Sequence, residues 1–327
     1  MRAVWVTRFG PVDEAAVMDA PDPVPGPGQV VLDVRAAEAN YPDLLVIEGR
    51  YQVKPSLPFI PGKAASGVVA ALGPGVAGPA LGTPVVAHVE YGAFAQRLLA
   101  PAAACCAISE GIGFDTAAAL ALTYQTAWFA LMDRARLQPG ESVLVLGASG
   151  GVGVASLQLA RALGAGRVIA AVRAEADAVV ARTAGADGVV LVGNGPEGLR
   201  DGLAALGGPV DVVIDPVGGA IGTAALRTLA WCGRFIVVGF AAGSPPEVRA
   251  NYLLVKNISV CGLQWSDYRD RAPGRVAAAQ AEIFRLHRAG RLPPIIDRVM
   301  PMTRFAEALH ALGQGTVQGK LILDPAT

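Results

Sequence analysis

The segment Gly147-Ala148-Ser149-Gly150-Gly151-Val152-Gly153 constrains this chain most, because it follows a short apolar run at 143–146 and opens a stretch of helical spacing. A strand that turns on glycine straight into a helix leaves the first helical N–H groups without intrahelical partners, so they face an anion. In G-x-G-x-x-G register the segment reads Ala148-x-Gly150-x-x-Gly153. Gly150 lets a pyrophosphate approach the backbone, and Gly153 lets helix and strand pack closely. Ser149, Gly151 and Val152 complete the turn. A ligand-free glycine turn is the plainer alternative, and the pattern around the segment decides against it.

That pattern is an alternation. Apolar runs of strand length stand at 143–146, 168–172, 188–192, 210–214, 234–238 and 258–263, with helical stretches at 152–163, up to Ala184 and at 220–230 between them. Six such strands predict an α/β fold with a Rossmann doubly wound parallel sheet. Before residue 120 the texture differs: β-rich runs at 30–34, 67–71 and 84–88 are punctuated by Pro21, Pro25, Gly28 and Gly73-Pro74-Gly75, which predicts an irregular, partly open β domain. The 327 residues fit two domains at roughly 150 residues each. From Asp267 an amphipathic helix at 276–289, a break at Pro293-Pro294 and a strand at 297–300 return to the first domain, and 193–196 reads as a loop.

A dinucleotide site specific for NAD carries an acidic residue about 20 residues past the glycines, to hold the ribose diol. Here the second strand ends Ala170-Ala171-Val172-Arg173. Arg173 suits a 2′-phosphate and points to NADPH, while nearby Glu175 leaves NADH acceptable.

The segments Glu38-Ala39-Asn40-Tyr41-Pro42-Asp43, Leu57-Pro58-Phe59-Ile60-Pro61-Gly62, 147–153, Asp211-Val212-Val213-Ile214-Asp215-Pro216-Val217-Gly218-Gly219, 233–240, Lys256-Asn257-Ile258-Ser259-Val260 and Gly319-Lys320-Leu321-Ile322-Leu323 resemble, in order and spacing, the medium-chain dehydrogenase/reductase superfamily. The resemblance is to its zinc-free quinone oxidoreductase (zeta-crystallin-like) branch and spans essentially the whole chain. It implies a GroES-like catalytic domain from residues 1–122 and 265–327, a Rossmann domain at 123–264, NADPH in the cleft between them, and a homodimer formed through the last Rossmann strand. It also implies that Asn40 lies by the nicotinamide ribose, Thr126 near the cofactor, and Val238-Gly239-Phe240 at a strand end facing it. Gly262, Leu263 and Lys320 match further positions along the dinucleotide. One departure is Asp177, where relatives often carry a lysine for the 2′-phosphate.

Catalytic zinc generally takes three protein ligands and keeps an open position. This chain reads Ala39-Asn40-Tyr41 where zinc-dependent cousins place a first cysteine, and Cys105, Cys106, Cys232 and Cys261 form no C-x-x-C pair, so no metal is expected. His88, in an apolar strand, reads as a hydrogen-bonded structural residue, and Cys105 and Cys106 as inert. Ser149 is out of register for a hydrolase elbow. The cofactor must then carry the hard step, as hydride transfer to a quinone, with a reductase of α,β-unsaturated aldehydes, ketones or acyl-CoA and an NADPH-binding structural protein as the alternatives. Tyr41, Tyr51 and Trp265 are candidates, with Asn40, for the acceptor pocket, and Asp43 for a brace on the helix after Pro42. The 27 basic and 27 acidic residues without runs suggest neither nucleic acid nor an anionic membrane as partner. The start does not read as a secretion signal, and a cytoplasmic enzyme is expected.

Overall fold

In the computed structural model, which describes residues 1–193 and 195–326, the fully buried run Ser142–Leu146 lies inside a six-stranded sheet. The strand order is Gly188–Leu191, Arg167–Val172, Ser142–Leu146, Val210–Asp215, Leu229–Val237 and Ser259–Gly262, and all neighbours are parallel. Parallel strands buried on both faces need continuous apolar sequence, which is why Leu144, Leu146, Ile169, Val213 and Phe235 meet in one core. The winding reverses between Ser142–Leu146 and Val210–Asp215, the switch point outside whose carboxyl ends such sheets bind ligands.

One helix is shorter than its sequence suggests. The expected helix at 220–230 is Gly219–Leu226, and the next strand already starts at Leu229. The Thr228 hydroxyl donates to Ala225 O at 2.7 Å and Val210 N–H to Thr228 O at 3.1 Å, closing a turn that apolar spacing alone does not reveal.

This sheet belongs to a unit made of Thr123–Trp265 and Ala289–Ile295. The other unit comprises Met1–Leu122, Ser266–Arg288 and the chain from Ile296 onward. Trp265 and residues 289–295, assigned from sequence to the first domain, thus fall in the second unit. Of the loop read at 193–196, Asn194 lies outside the described residues.

In the first unit the strand Gln29–Ala39 is the organiser: it pairs with Ala64–Leu72, Arg97–Pro101 and Lys320–Asp324 in a seven-stranded sheet. The expected run at 30–34 is less than half of it, because Asp33, Arg35 and Glu38 interrupt the apolar pattern. Asp33 is matched by Arg97 across the sheet at 3.1 Å, and Glu38 by Lys320. Among the described residues no helix is long and apolar enough to cross a membrane.

The glycines of the 147–153 turn differ in what they tolerate. A Cβ on Gly153 would lie 2.3 Å from Gly147 O and 2.6 Å from Ala148 Cα, whereas one on Gly150 has Gly147 O as its nearest neighbour at 3.6 Å. Gly153→Ala is expected to lower the unfolding free energy by about 1–3 kcal/mol, and Gly150→Ala to leave it within about 0.5 kcal/mol. Urea denaturation of both variants checks this, and equal losses would contradict it.

Candidate active site

The helix Gly151–Ala162 starts from Gly150 in extended conformation, and no side chain among the described residues caps its first turn. Gly147, at φ 58°, reverses the chain so that Gly150 N–H donates to Gly147 O at 3.2 Å. The N–H groups of the first turn are therefore available to an anion, and Gly150 leaves the backbone approachable. Ala148 is buried beneath the turn, while Ser149, Gly151 and Val152 are half-buried.

Beside it, at the carboxyl end of the neighbouring strand, Asp215 is fully buried. Its Oδ1 accepts the N–H groups of Val217 and Gly218, each at 2.8 Å, while Oδ2 has no hydrogen-bond partner among the described residues. Burial pushes this carboxyl up to about 6, against the pull of those two N–H groups. The Asp215 carbonyl accepts Val238 N–H at 2.9 Å and Gly239 N–H at 3.3 Å, so the Val238-Gly239-Phe240 turn hangs from the same residue. Leu263 N–H donates to Val237 O at 2.9 Å, and Gly262 O accepts Arg134 Nε at 3.0 Å. Thr126 is buried in the helix Leu122–Phe129, and Trp265 is buried at the start of Trp265–Arg271. Arg173 is exposed directly after its strand, and Glu175 turns to Arg182 at 3.2 Å. Asp177 lies in the first turn of Glu175–Thr183.

The first unit holds a second constellation. Asn40 precedes the helix Tyr41–Ile47, and its backbone N–H donates to Asp43 Oδ2 at 2.8 Å. Asp43 is thus a residue of the first helical turn reaching back, which braces the helix start and fixes Asn40. The Asn40 Oδ1 accepts Lys320 Nζ at 2.6 Å, and Lys320 Nζ lies 2.7 Å from Glu38 Oε2. Glu38 Oε1 accepts Leu122 N–H at 2.8 Å. Burial pushes the Glu38 carboxyl up, opposed by Lys320. Asp43 is raised to about 7 by burial, opposed by Lys63 and by the Asn40 N–H, and its Oδ1 has no hydrogen-bond partner among the described residues.

Lys63, itself buried, pairs with the Glu90 carboxylate and lies 4.4 Å from the Tyr51 ring centroid. Glu90 is shared with Arg269 at 2.9 Å. Tyr41 and Tyr51 are half-buried against this unit's core. His88 Nε2 lies 3.2 Å from Gln280 Oε1, and burial lowers the imidazole to about 4. Burial raises the Cys105 thiol to about 12 and that of Cys106 to about 11, so neither supplies a thiolate. Among the described residues no group of three or more His, Cys, Asp or Glu side chains is placed to hold a metal ion.

Sequence reasoning passed over Asp215 as a positioning group, and also Glu38, Lys63, Glu90 and Arg269. A signal existed for Lys63: it is the charged residue in the otherwise small and apolar run Gly62-Lys63-Ala64-Ala65-Ser66-Gly67.

Comparison with known proteins bears on this geometry. The family model described as alcohol dehydrogenase GroES-like domain matches residues 26–126, and the one described as zinc-binding dehydrogenase matches 151–280. Quinone oxidoreductase-like protein 2 of Mus musculus is 35% identical over 306 residues, covering 93% of this chain and 87% of the relative. The crystal structure of Escherichia coli quinone oxidoreductase complexed with NADPH superposes with a TM-score of 0.92 at 26% identity, covering 99% of this chain and 100% of the other. A probable oxidoreductase from Mycobacterium abscessus gives 0.87 at 33% identity, with 99% of each chain covered. The chain belongs to the quinone oxidoreductase branch of the medium-chain dehydrogenase/reductase superfamily, a family of oxidoreductases.

Two buried groups give stability opposite dependences on pH. Asp43 titrates near 7 in the fold against an ordinary 3.8, so the folded state holds its proton longer, and this contribution is lost as pH rises through about 7. His88 titrates near 4 against 6.5, so its contribution is lost as pH falls below 6.5. Asp43→Asn is therefore expected to gain stability on the wild type as pH climbs from 4 to 7, and His88→Gln as pH falls from 6.5 to 4. Urea denaturation across that range checks both signs, and pH-independent differences would contradict them.

Proposed function

We propose that this protein is a zinc-independent, NADPH-dependent oxidoreductase that reduces a quinone by hydride transfer. The observation that carries this reading is the uncapped helix start behind Gly150, at the switch point of a complete six-stranded parallel sheet. The residues fit a dinucleotide phosphate: the first-turn N–H groups and the open approach at Gly150 take the pyrophosphate, and exposed Arg173 takes the 2′-phosphate. A bound reduced nicotinamide supplies the hydride.

The protein's own residues bind and orient. Ala148, Ser149, Gly151, Val152 and Gly153 form and anchor the phosphate turn, and Thr126, Val238, Gly239, Phe240, Gly262 and Leu263 line the dinucleotide. Lys320 holds the Asn40 side chain for the nicotinamide ribose. Tyr41 and Tyr51, half-buried in the first unit, offer faces on which a flat acceptor stacks, whereas Trp265 is buried in the second. A quinone suits these means because the charge left by hydride addition delocalises onto oxygen, so hydrogen bonds and fixed charges suffice without a Lewis acid. The zinc-free mechanism is supported by the donor chemistry: the segment that resembles the place of a first zinc cysteine reads Ala39-Asn40-Tyr41, and His88 is hydrogen-bonded to Gln280.

The strand Ser259–Gly262 at the sheet's edge supports a homodimer formed by pairing with a second copy. Four free thiols support a cytoplasmic setting.

The test is NADPH oxidation by the purified protein against 1,4-benzoquinone, a naphthoquinone, a 2-alkenal, cyclohexenone and crotonyl-CoA, with NADH in parallel. Preference for quinones and NADPH is expected, whereas preference for the enones or thioester would make the protein a double-bond reductase. NADPH binding without turnover would leave a binding protein. Arg173→Ala is expected to raise the KM for NADPH about tenfold and leave NADH within about twofold. Gly150→Val is expected to fold yet lose NADPH binding, and unchanged affinity would remove the phosphate site from this turn.

A further inference from the structure

Burying an ammonium is costly unless charge and hydrogen bonds compensate it, and a well-packed apolar residue often serves stability equally well. Lys63 nevertheless retains only 3% of its surface, at the start of the strand Ala64–Leu72. Its backbone is fixed on both sides. Gly62 sits at φ 98°, where a Cβ would lie 2.7 Å from Phe94 N, and Lys63 O accepts Val89 N–H at 2.8 Å. The side chain pairs with Glu90, donates to Glu90 O at 3.2 Å and covers the Tyr51 ring at 4.4 Å.

Glu90 serves buried Lys63 and half-buried Arg269, whose Nη1 lies 2.9 Å from its other oxygen, and the second acid on Arg269, Asp270, is mostly exposed. Asp43, the remaining acid acting on Lys63, is fully buried and keeps one oxygen without a hydrogen-bond partner among the described residues. The Tyr51 ring, half-buried, is a flat surface with this cation 4.4 Å from its centroid.

We propose that Lys63 is the specificity-determining cation of the acceptor site: its buried ammonium stabilises the negative charge that hydride addition places on the oxygen of a flat, neutral acceptor stacked on Tyr51. The inference rests on the hydride-transfer reading above. In the step, the hydride of the reduced nicotinamide forms a C–H bond on the acceptor and the displaced π pair moves to oxygen. A solvent proton then completes the O–H. The nicotinamide is oxidised and the acceptor reduced by two electrons, and Lys63 remains an ammonium throughout. A unit charge about 8 Å from the oxyanion, at an effective dielectric of about 20, alters the rate about 30-fold. Acceptors whose oxyanions are more basic depend on it more, because they keep more charge on oxygen.

The test compares the wild-type chain with Lys63→Met, Lys63→Arg and the double variant Lys63→Met with Glu90→Gln, in which Glu90 is not left as a carboxylate without Lys63. The double variant carries the comparison if Lys63→Met alone does not fold. Expected results are a kcat/KM for the reduced acceptor about 30-fold lower in Lys63→Met, lowered by a smaller factor in the double variant, which also loses the Glu90 charge, and restored to within about fivefold in Lys63→Arg, with NADPH affinity within about twofold of wild type. The loss is expected to grow with the basicity of the acceptor's oxyanion, a trend that a merely structural role does not produce. Folded methionine variants with wild-type kcat/KM, or an equal loss for every acceptor and for Lys63→Arg, would overturn the proposal while leaving the hydride-transfer reading intact. Wild-type protein inert toward the whole panel would overturn both.

Discussion

A buried ion pair joins the two ends of this chain. Lys320 sits 2.7 Å from Glu38 and 2.6 Å from Asn40, and the strands that carry them pair antiparallel, Leu321 opposite Ala39 and Ile322 opposite Glu38. Removing either charge would leave the other buried without its counter-ion, at a cost of about 3–5 kcal/mol. The strand Gln29–Ala39 is also the central member of its sheet, so its position is inherited by Ala64–Leu72 and Arg97–Pro101. Asn40 receives its place from the same contact. Its side chain is held by Lys320, its backbone by Asp43, and the helix Tyr41–Ile47 starts directly after it.

The second unit separates two duties within one turn. Gly153 is required by packing, because there is no room for a side chain between helix and strand, whereas space remains at Gly150 and what it provides is an approach to the backbone. Asp215 organises the other wall: one oxygen gathers two N–H groups of its own turn, while its carbonyl takes the Val238 and Gly239 N–H groups from the next strand end. Both walls consist largely of backbone, which suits binding of a polar cofactor whose own chemistry does the work.

Legibility in the sequence followed locality. The parallel strands announced themselves because each contains a short apolar run, and the glycine turn because its residues are consecutive. The first unit was less readable, since Asp33, Arg35 and Glu38 break the alternation of its longest strand and their compensation lies elsewhere in the chain. Thr228 ended a helix by a side-chain bond that apolar spacing does not encode. The Lys63, Glu90 and Arg269 cluster escaped because Arg269 is 179 residues from Glu90, and three isolated charges carry no motif. Asn40 and Lys320, 280 residues apart, were reached by family resemblance and not from their own chemistry.

The central claim, direct hydride delivery from NADPH to a quinone without a metal, is tested most directly by a primary isotope effect. Chelator-treated protein would be given NADPH bearing deuterium at the transferable C4 position, and single-turnover quinone reduction followed. The account predicts a rate that is lower with deuterium and unchanged by chelation. Activity that vanishes on chelation and returns with zinc would contradict it.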